Sequence, residues 1–132
     1  MIYDTIRAYF NEALVSRFTF NPVNARRTVD IWLANPDIYV MRHEAGGLFV
    51  LYCCALWSDE REGYVDMFYV SPKVRGTRVA RELVVEIENL VYKLGLRGCY
   101  TDSRSGFDNK LFRNLFAKKD FKVIGDVMYR EY

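Results

Sequence analysis

The sequence predicts an α/β chain, α+β in arrangement, with a mixed and mostly antiparallel sheet that contains one parallel strand pair. Three observations carry this. Two stretches near the start have the apolar spacing of helices, and three strand-like runs then follow one another with only short connections. A strand, a long amphipathic helix and a further strand come next, and such a crossover makes its two strands parallel with a right-handed connection.

Taken in order, Asp4 reads as the cap of a first helix in which Ile6, Tyr9, Phe10, Ala13 and Leu14 share a face, ending near Ser16. Phe18-Thr19-Phe20-Asn21-Pro22 reads as a loop whose aromatic side chains either fold over a site or fill the sheet edge. Asn24 then caps a second helix that turns Ala25, Val29, Trp32 and Leu33 inward, and Asn35-Pro36 ends it. Ile38 to Arg42 is a strand, Ala45-Gly46-Gly47 a turn, Leu48 to Trp57 a long second strand and Ser58 to Gly63 a charged hairpin loop.

The next run, Tyr64, Val65, Met67, Phe68, Tyr69 and Val70, is β-branched and aromatic, which suits a strand buried on both faces. Ser71-Pro72 stops it, since proline cannot donate to a sheet ladder. After a short basic loop, Lys73-Val74-Arg75-Gly76-Thr77-Arg78, the positions Val79, Ala80, Leu83, Val84, Ile87, Leu90, Val91 and Leu94 form one helical stripe. Gly95 and Gly98 stop that helix, and Cys99-Tyr100-Thr101-Asp102 reads as the parallel partner strand. Ser103 to Phe107 is a loop, Asp108 to Lys119 a helix, and Phe121 to Tyr132 strand-like with a turn or bulge at Gly125-Asp126.

With 132 residues the chain is expected to form one domain, and 51% hydrophobic with 16% aromatic residues is ample for its core. No apolar run reaches the roughly 18 residues of a membrane span, and Met1-Ile2-Tyr3-Asp4 lacks the basic and apolar sections of a secretory signal. Three cysteines, Cys53, Cys54 and Cys99, fit neither a metal spacing nor an even disulfide framework, so no metal and a reducing, cytoplasmic location are expected. A net charge of +2 is too mild to imply nucleic acid. Adjacent Cys53 and Cys54 read as core filler, and His43, at a strand end before a turn, is not expected to be catalytic.

The basic loop carries the chemistry. The first amides of a helix lack intrahelical partners and sit at the positive end of its dipole. Gly76 lets backbone approach a ligand closely, and Lys73, Arg75, Arg78 and Arg81 surround the same spot, so the expected guest is a phosphate or pyrophosphate. A plain surface turn at a solvated helix end is the alternative.

Val70-Ser71-Pro72-Lys73-Val74-Arg75-Gly76-Thr77-Arg78-Val79-Ala80, with Leu83 behind it, resembles the acetyl-CoA pyrophosphate loop of the GNAT superfamily of N-acetyltransferases, V-x-P-x-x-R-G-x-G-h-G/A. Arg78 stands where the family has its second glycine, a departure that fits if Arg78 is already helical. Downstream, Asn109, Leu115, Phe116, Lys118 and Phe121 fall on the family's N-x-x-A-x-x-L-Y-x-K-x-G-F pattern, with Phe112 at the small position and Asp120 at the glycine. The two motifs span residues 64 to 121. The resemblance implies a GNAT-like sheet with a splayed parallel pair, helices on both faces and the pantetheine arm of acetyl-CoA between the splayed strands. Only Met1 to Tyr3 precede the first helix and the last hairpin is short, so the fold is expected to be shortened at both termini.

The same resemblance implies acetyl-CoA as co-substrate, held by Phe68, Tyr69, Val70, Lys73, Val74, Arg75, Gly76, Thr77, Arg78, Val79, Ala80, Asn109 and Phe116. Phe116 occupies the place of the tyrosine that commonly protonates the leaving thiolate, so Tyr100 or Tyr69 would have to substitute, or the thiolate would leave unassisted. Asp66, an acid inside an apolar strand, is the candidate base, made stronger by burial; an arginine-paired strand carboxylate is the alternative. Tyr64 shares its strand face and would hold a water or orient the acceptor. The function expected is direct acetyl transfer from CoA to an amine, by a monomer or homodimer. The alternative is a catalytically weak module that binds CoA or a protein partner and regulates it.

Overall fold

In a computed structural model, residues 2–14, 18–102, 109–125, 128 and 130 are described. The elements are helix α1 (Ile2–Tyr9) with a π-helical turn (Phe10–Leu14), helix α2 (Pro22–Ala34), strands β1 (Ile38–His43), β2 (Gly47–Cys54) and β3 (Glu62–Val70), helix α3 (Val79–Lys93), strand β4 (Cys99–Thr101) and helix α4 (Asn109–Ala117). The sheet order is β1-β2-β3-β4, antiparallel except for the parallel β3–β4 pair. This is the mixed sheet that the sequence predicts. Among the described residues no helix is long and apolar enough to cross a membrane.

Helix starts differ from expectation for local reasons. Asp4 lies inside the first turn of α1 and does not cap it. In α2 the cap is Asn21, whose side chain accepts from the Asn24 amide at 3.0 Å, while Pro22 takes the first helical position. Proline suits that position because its missing N–H would have been an orphan and its φ is preset. Asn24 therefore sits one turn inside, and its carbonyl accepts the Thr28 hydroxyl at 3.0 Å. Val29 and Trp32 are buried, whereas Leu33 turns outward at 61% exposure. The end of the first helix near Ser16 lies outside the described residues.

Strand β2 stops at Cys54, opposite Glu62, so the predicted extension to Trp57 is loop. Residues 121–125 take no regular structure; the remainder of the predicted terminal strand lies mostly outside the described residues. Asp120 closes α4 with φ 64, and the Phe121 amide returns to the Phe116 carbonyl at 3.2 Å. A left-handed residue is the usual way to satisfy the last carbonyls of a helix, and aspartate tolerates it better than most.

Both faces of the sheet are covered. Against α3 and α4 pack Phe49, Leu51, Val65, Phe68 and, from the helices, Val79, Leu83, Val84, Ile87 and Phe116. Against α1 and α2 pack Leu48, Val50, Met67 and Tyr69 with Trp32. Successive side chains of a strand alternate faces, yet Val65 and Met67 lie on opposite faces. A bulge resolves this: Val50 pairs with Met67 and Leu51 with Val65, leaving Asp66 as the extra residue.

The β1–β2 turn props up the segment that leaves β3. Gly46 has φ +122, a Cβ there would meet Ser71 Cβ at 3.0 Å, and its carbonyl accepts the Ser71 amide at 3.1 Å. Replacing Gly46 with alanine is expected to lower stability by about 1–3 kcal/mol, from the strained φ and the displaced Ser71. Denaturant unfolding of Gly46→Ala measures this; an unchanged midpoint would show that the turn relaxes freely.

Candidate active site

The chain leaves β3 at Val70, makes a one-turn 3₁₀ helix over Pro72–Val74 and enters α3 at Val79. Thr77 joins the two turns: its hydroxyl donates to the Val74 carbonyl at 2.5 Å and accepts from the Val79 amide at 3.3 Å. Gly76 has φ +78, and nothing lies within 4 Å of the Cβ it lacks. It is therefore required by conformation, and the space in front of it is open. Arg78 is helical, with φ −75 and ψ −6, so the absent second glycine costs the backbone nothing here. An open loop ahead of a helix start, with Lys73 and Arg81 exposed on it, fits a phosphate group.

The other two loop cations are engaged within the fold. Arg75 donates through Nε to the Val70 carbonyl at 2.9 Å and pairs with Glu12 of the π-helical turn, 2.5 Å from Nη1 and 2.9 Å from Nη2, over the Tyr69 ring. Arg78 pairs with Glu82 at 3.0 Å. Glu82 also meets His43 Nε2 at 2.6 Å, while His43 Nδ1 accepts the Ala45 amide at 3.0 Å. The His43 bond is the main reason that the Glu82 carboxyl is held below the usual carboxylate range. His43 thus buttresses the helix start.

Strand β4 pairs with β3 only over Gly63–Val65. From Asp66 to Val70 that edge of β3 has no strand partner among the described residues, where the resemblance implies that the pair splays. The predicted backbone contacts at Phe68, Tyr69 and Val70 lie on this stretch, with the Val70 carbonyl taken by Arg75.

Asp66 sits where the pair opens. It is exposed, not buried as expected, because the bulge pushes it out of the alternation. No arginine pairs with it among the described contacts; the Tyr52 hydroxyl donates to its Oδ2 at 3.2 Å. Burial, then the Asp66 charge, pushes the Tyr52 phenol up to about 12, and the Trp32 indole bonds to the same hydroxyl. Tyr64, on this face as predicted, stacks toward Tyr52 at 6.4 Å between ring centres and donates to Asp102. Tyr52 and Asp102 were not selected from the sequence. A two-residue alternation with known register would have found Tyr52, which lies opposite Tyr64.

The predicted acids lie elsewhere. Tyr100 donates to Glu62 at 3.3 Å, and the Glu62 charge raises its phenol above the ordinary value. It borders a space of about 1050 Å³ between α3, β4 and α4 that does not include Asp66. Tyr69 is buried, which raises its phenol, and its hydroxyl faces Glu12 at 3.5 Å. Phe116 is 3% exposed, with Phe68, Phe112 and Phe121 rings 4.7 to 5.2 Å from its own. Asn109 begins α4; its side chain lies outside the described part. Burial pushes the Cys99 thiol up to about 12, which removes it as a nucleophile near neutrality. Among the described residues, no group of three or more His, Cys, Asp or Glu could hold a metal ion.

A second space, about 410 Å³, opens on the α1–α2 face beside Asp66 and Met67 and is walled by α1, the π-helical turn, the 18–21 segment and α2.

Residues 3–125 match the sequence model of the acetyltransferase (GNAT) family. No curated protein matches the chain by sequence. Among solved structures, a putative acetyltransferase from Arthrobacter sp. FB24 is similar with a TM-score of 0.78 at 20% identity, covering 99% of this chain and 88% of that one. A transcriptional regulator from Bacillus halodurans C-125 gives 0.79 at 10% identity, with 98% and 92% covered. Glucosamine-6-phosphate N-acetyltransferase from Arabidopsis thaliana gives 0.67 at 15% identity, with 98% and 93% covered. At these identities the likeness is one of fold.

The Tyr52–Asp66 contact makes a measurable claim. A phenol raised from 10.0 to about 12 favours the neutral form in the folded state, so its contribution to stability is complete below pH 10.0 and lost as pH rises toward 12. NMR titration with carbon-labelled tyrosine should find one resonance titrating near the upper value. In Asp66→Asn it should fall while staying above 10.0, because burial is the larger cause. An Asp66→Asn titration identical to wild type would refute the contact.

Proposed function

The chain belongs to the GNAT acetyltransferase family, and from that premise we propose that it is an acetyl-CoA-dependent N-acetyltransferase that moves the acetyl group directly to an amine while both substrates are bound. The observation that carries this reading is the open glycine loop at Gly76, set at the start of α3 and beside the stretch of β3 that has no partner from β4 among the described residues. In this reading the phosphates lie on the loop amides from Gly76 to Ala80, with Lys73, Arg78 and Arg81 around them. The cofactor arm runs along Phe68, Tyr69 and Val70 toward Asn109. Val74, Thr77 and Val79 shape the loop, and Phe116 packs beneath Phe68.

Bound acetyl-CoA supplies an activated thioester carbonyl. Backbone N–H groups on the open edge of β3 polarise that carbonyl. Asp66 takes a proton from the incoming ammonium, directly or through a water held with Tyr64. The neutral amine nitrogen adds to the carbonyl carbon to form the C–N bond, then loses its second proton to solvent as the C–S bond breaks, leaving the amide. The departing thiolate takes its proton from solvent, because Phe116 offers no hydroxyl and that of Tyr100 faces Glu62.

The single observation favouring a regulatory module without turnover is that same Phe116. Thioester consumption separates the two.

Calorimetric titration is expected to show micromolar binding of acetyl-CoA and CoA. Gly76→Asp meets no neighbouring atom but strains the φ +78 backbone and places a negative charge in the cradle, so it should abolish binding, with folding checked by circular dichroism. Asp66→Asn should keep cofactor affinity and lower kcat by about 10²-fold or more. A folded wild-type protein that binds neither cofactor would sink the proposal.

A further inference from the structure

The pocket on the α1–α2 face has a chemistry of its own. Its walls include the rings of Tyr9, Phe10, Phe20 and Trp32 and the thioether of Met67, and among the described lining residues Asp66 is the sole ionisable carboxylate. Two polar groups in the wall are already used by helix α2: Asn21 Oδ1 accepts the Asn24 amide and the Thr28 hydroxyl donates to the Asn24 carbonyl. No Lys, Arg or His lines it among the described residues. Among the described residues, two nearby guanidiniums are stacked on rings instead, Arg7 at 5.0 Å from the centre of Phe20 and Arg26 at 4.1 Å from that of Tyr3. The carboxylate is held by the Tyr52 hydroxyl, which Trp32 supports in turn.

A pocket of about 410 Å³ lies within the range that takes a single small molecule. Aromatic walls favour an apolar body and attract a cation over their faces. One carboxylate satisfies one ammonium. A phosphate or carboxylate on the ligand would meet no cation among the described lining residues, and burying it unpaired would be costly. Resting on the transferase reading, we propose that the acceptor is a small primary amine with an aryl or alkyl body and no anionic group, its nitrogen on Asp66 and its body among Tyr9, Phe10, Phe20 and Trp32.

Phenethylamine is the probe, titrated calorimetrically with and without CoA into wild type, Thr28→Trp, which fills the pocket from α2, and Asp66→Asn. Saturable binding to wild type, weakened by about tenfold or more in both variants, is the expected result. Glucosamine 6-phosphate should not compete. The proposal is overturned if phenethylamine fails to bind in either condition, if both variants bind it as wild type does, or if the sugar phosphate binds more tightly. Acetyl-CoA is titrated into the same samples. Cofactor binding without amine binding condemns the acceptor class alone. Amine binding without cofactor binding supports the pocket and condemns the transferase reading.

Discussion

Strand β3 has to serve two cores and two neighbours, and one extra residue makes that possible. It pairs antiparallel with β2 along its length and parallel with β4 at its start, and both of its faces are covered by helices. Strict alternation would send Val65, Met67 and Tyr69 to the same side. Because a one-residue shift exchanges the faces, inserting Asp66 lets Val65 pack under α3 while Met67 and Tyr69 pack under α2. The same insertion expels Asp66 from the ladder at the point where β4 ends opposite Val65. Among the described residues, the β4 pairing therefore ends and a carboxylate appears at one place.

How far this was legible follows from the range of each interaction. The α3 stripe was readable because helical spacing is local: Val79, Leu83, Val84 and Ile87 are buried as their period requires. The loop was readable because its glycine answers to a dihedral, and Gly76 indeed has φ +78. Departures from the family pattern have equally local answers, since Arg78 needs no glycine in a helical conformation and Asp120 adopts the φ 64 that a glycine would otherwise supply.

What escaped depends on register or distance. A bulge cannot be seen in a run whose residues are apolar on both sides, so Asp66 looked buried. Asn21 and Asn24 are both good caps, and only the proline between them decides which is used. Tyr52 reaches Asp66 from β2, Asp102 reaches Tyr64 from just past β4, and Glu12 meets Arg75 from 63 residues away. None of these pairings leaves a local trace.

That last pairing bears on how the two halves of the site stay aligned. The sequence places Arg75 with Lys73, Arg78 and Arg81 around the expected anion; in the fold Arg75 is also bound to Glu12 and to the Val70 carbonyl. A partly exposed ion pair contributes only about 0–1 kcal/mol, so its worth lies in geometry. Glu12 belongs to the π-helical turn, a local widening of the helix of the kind often found at functional sites. Phe10 and Leu14 on either side of it wall the pocket beside Asp66. One arginine thus fixes the loop that faces the helix start to the segment that walls the pocket, and Tyr69, beneath the guanidinium and on the strand between them, completes the connection.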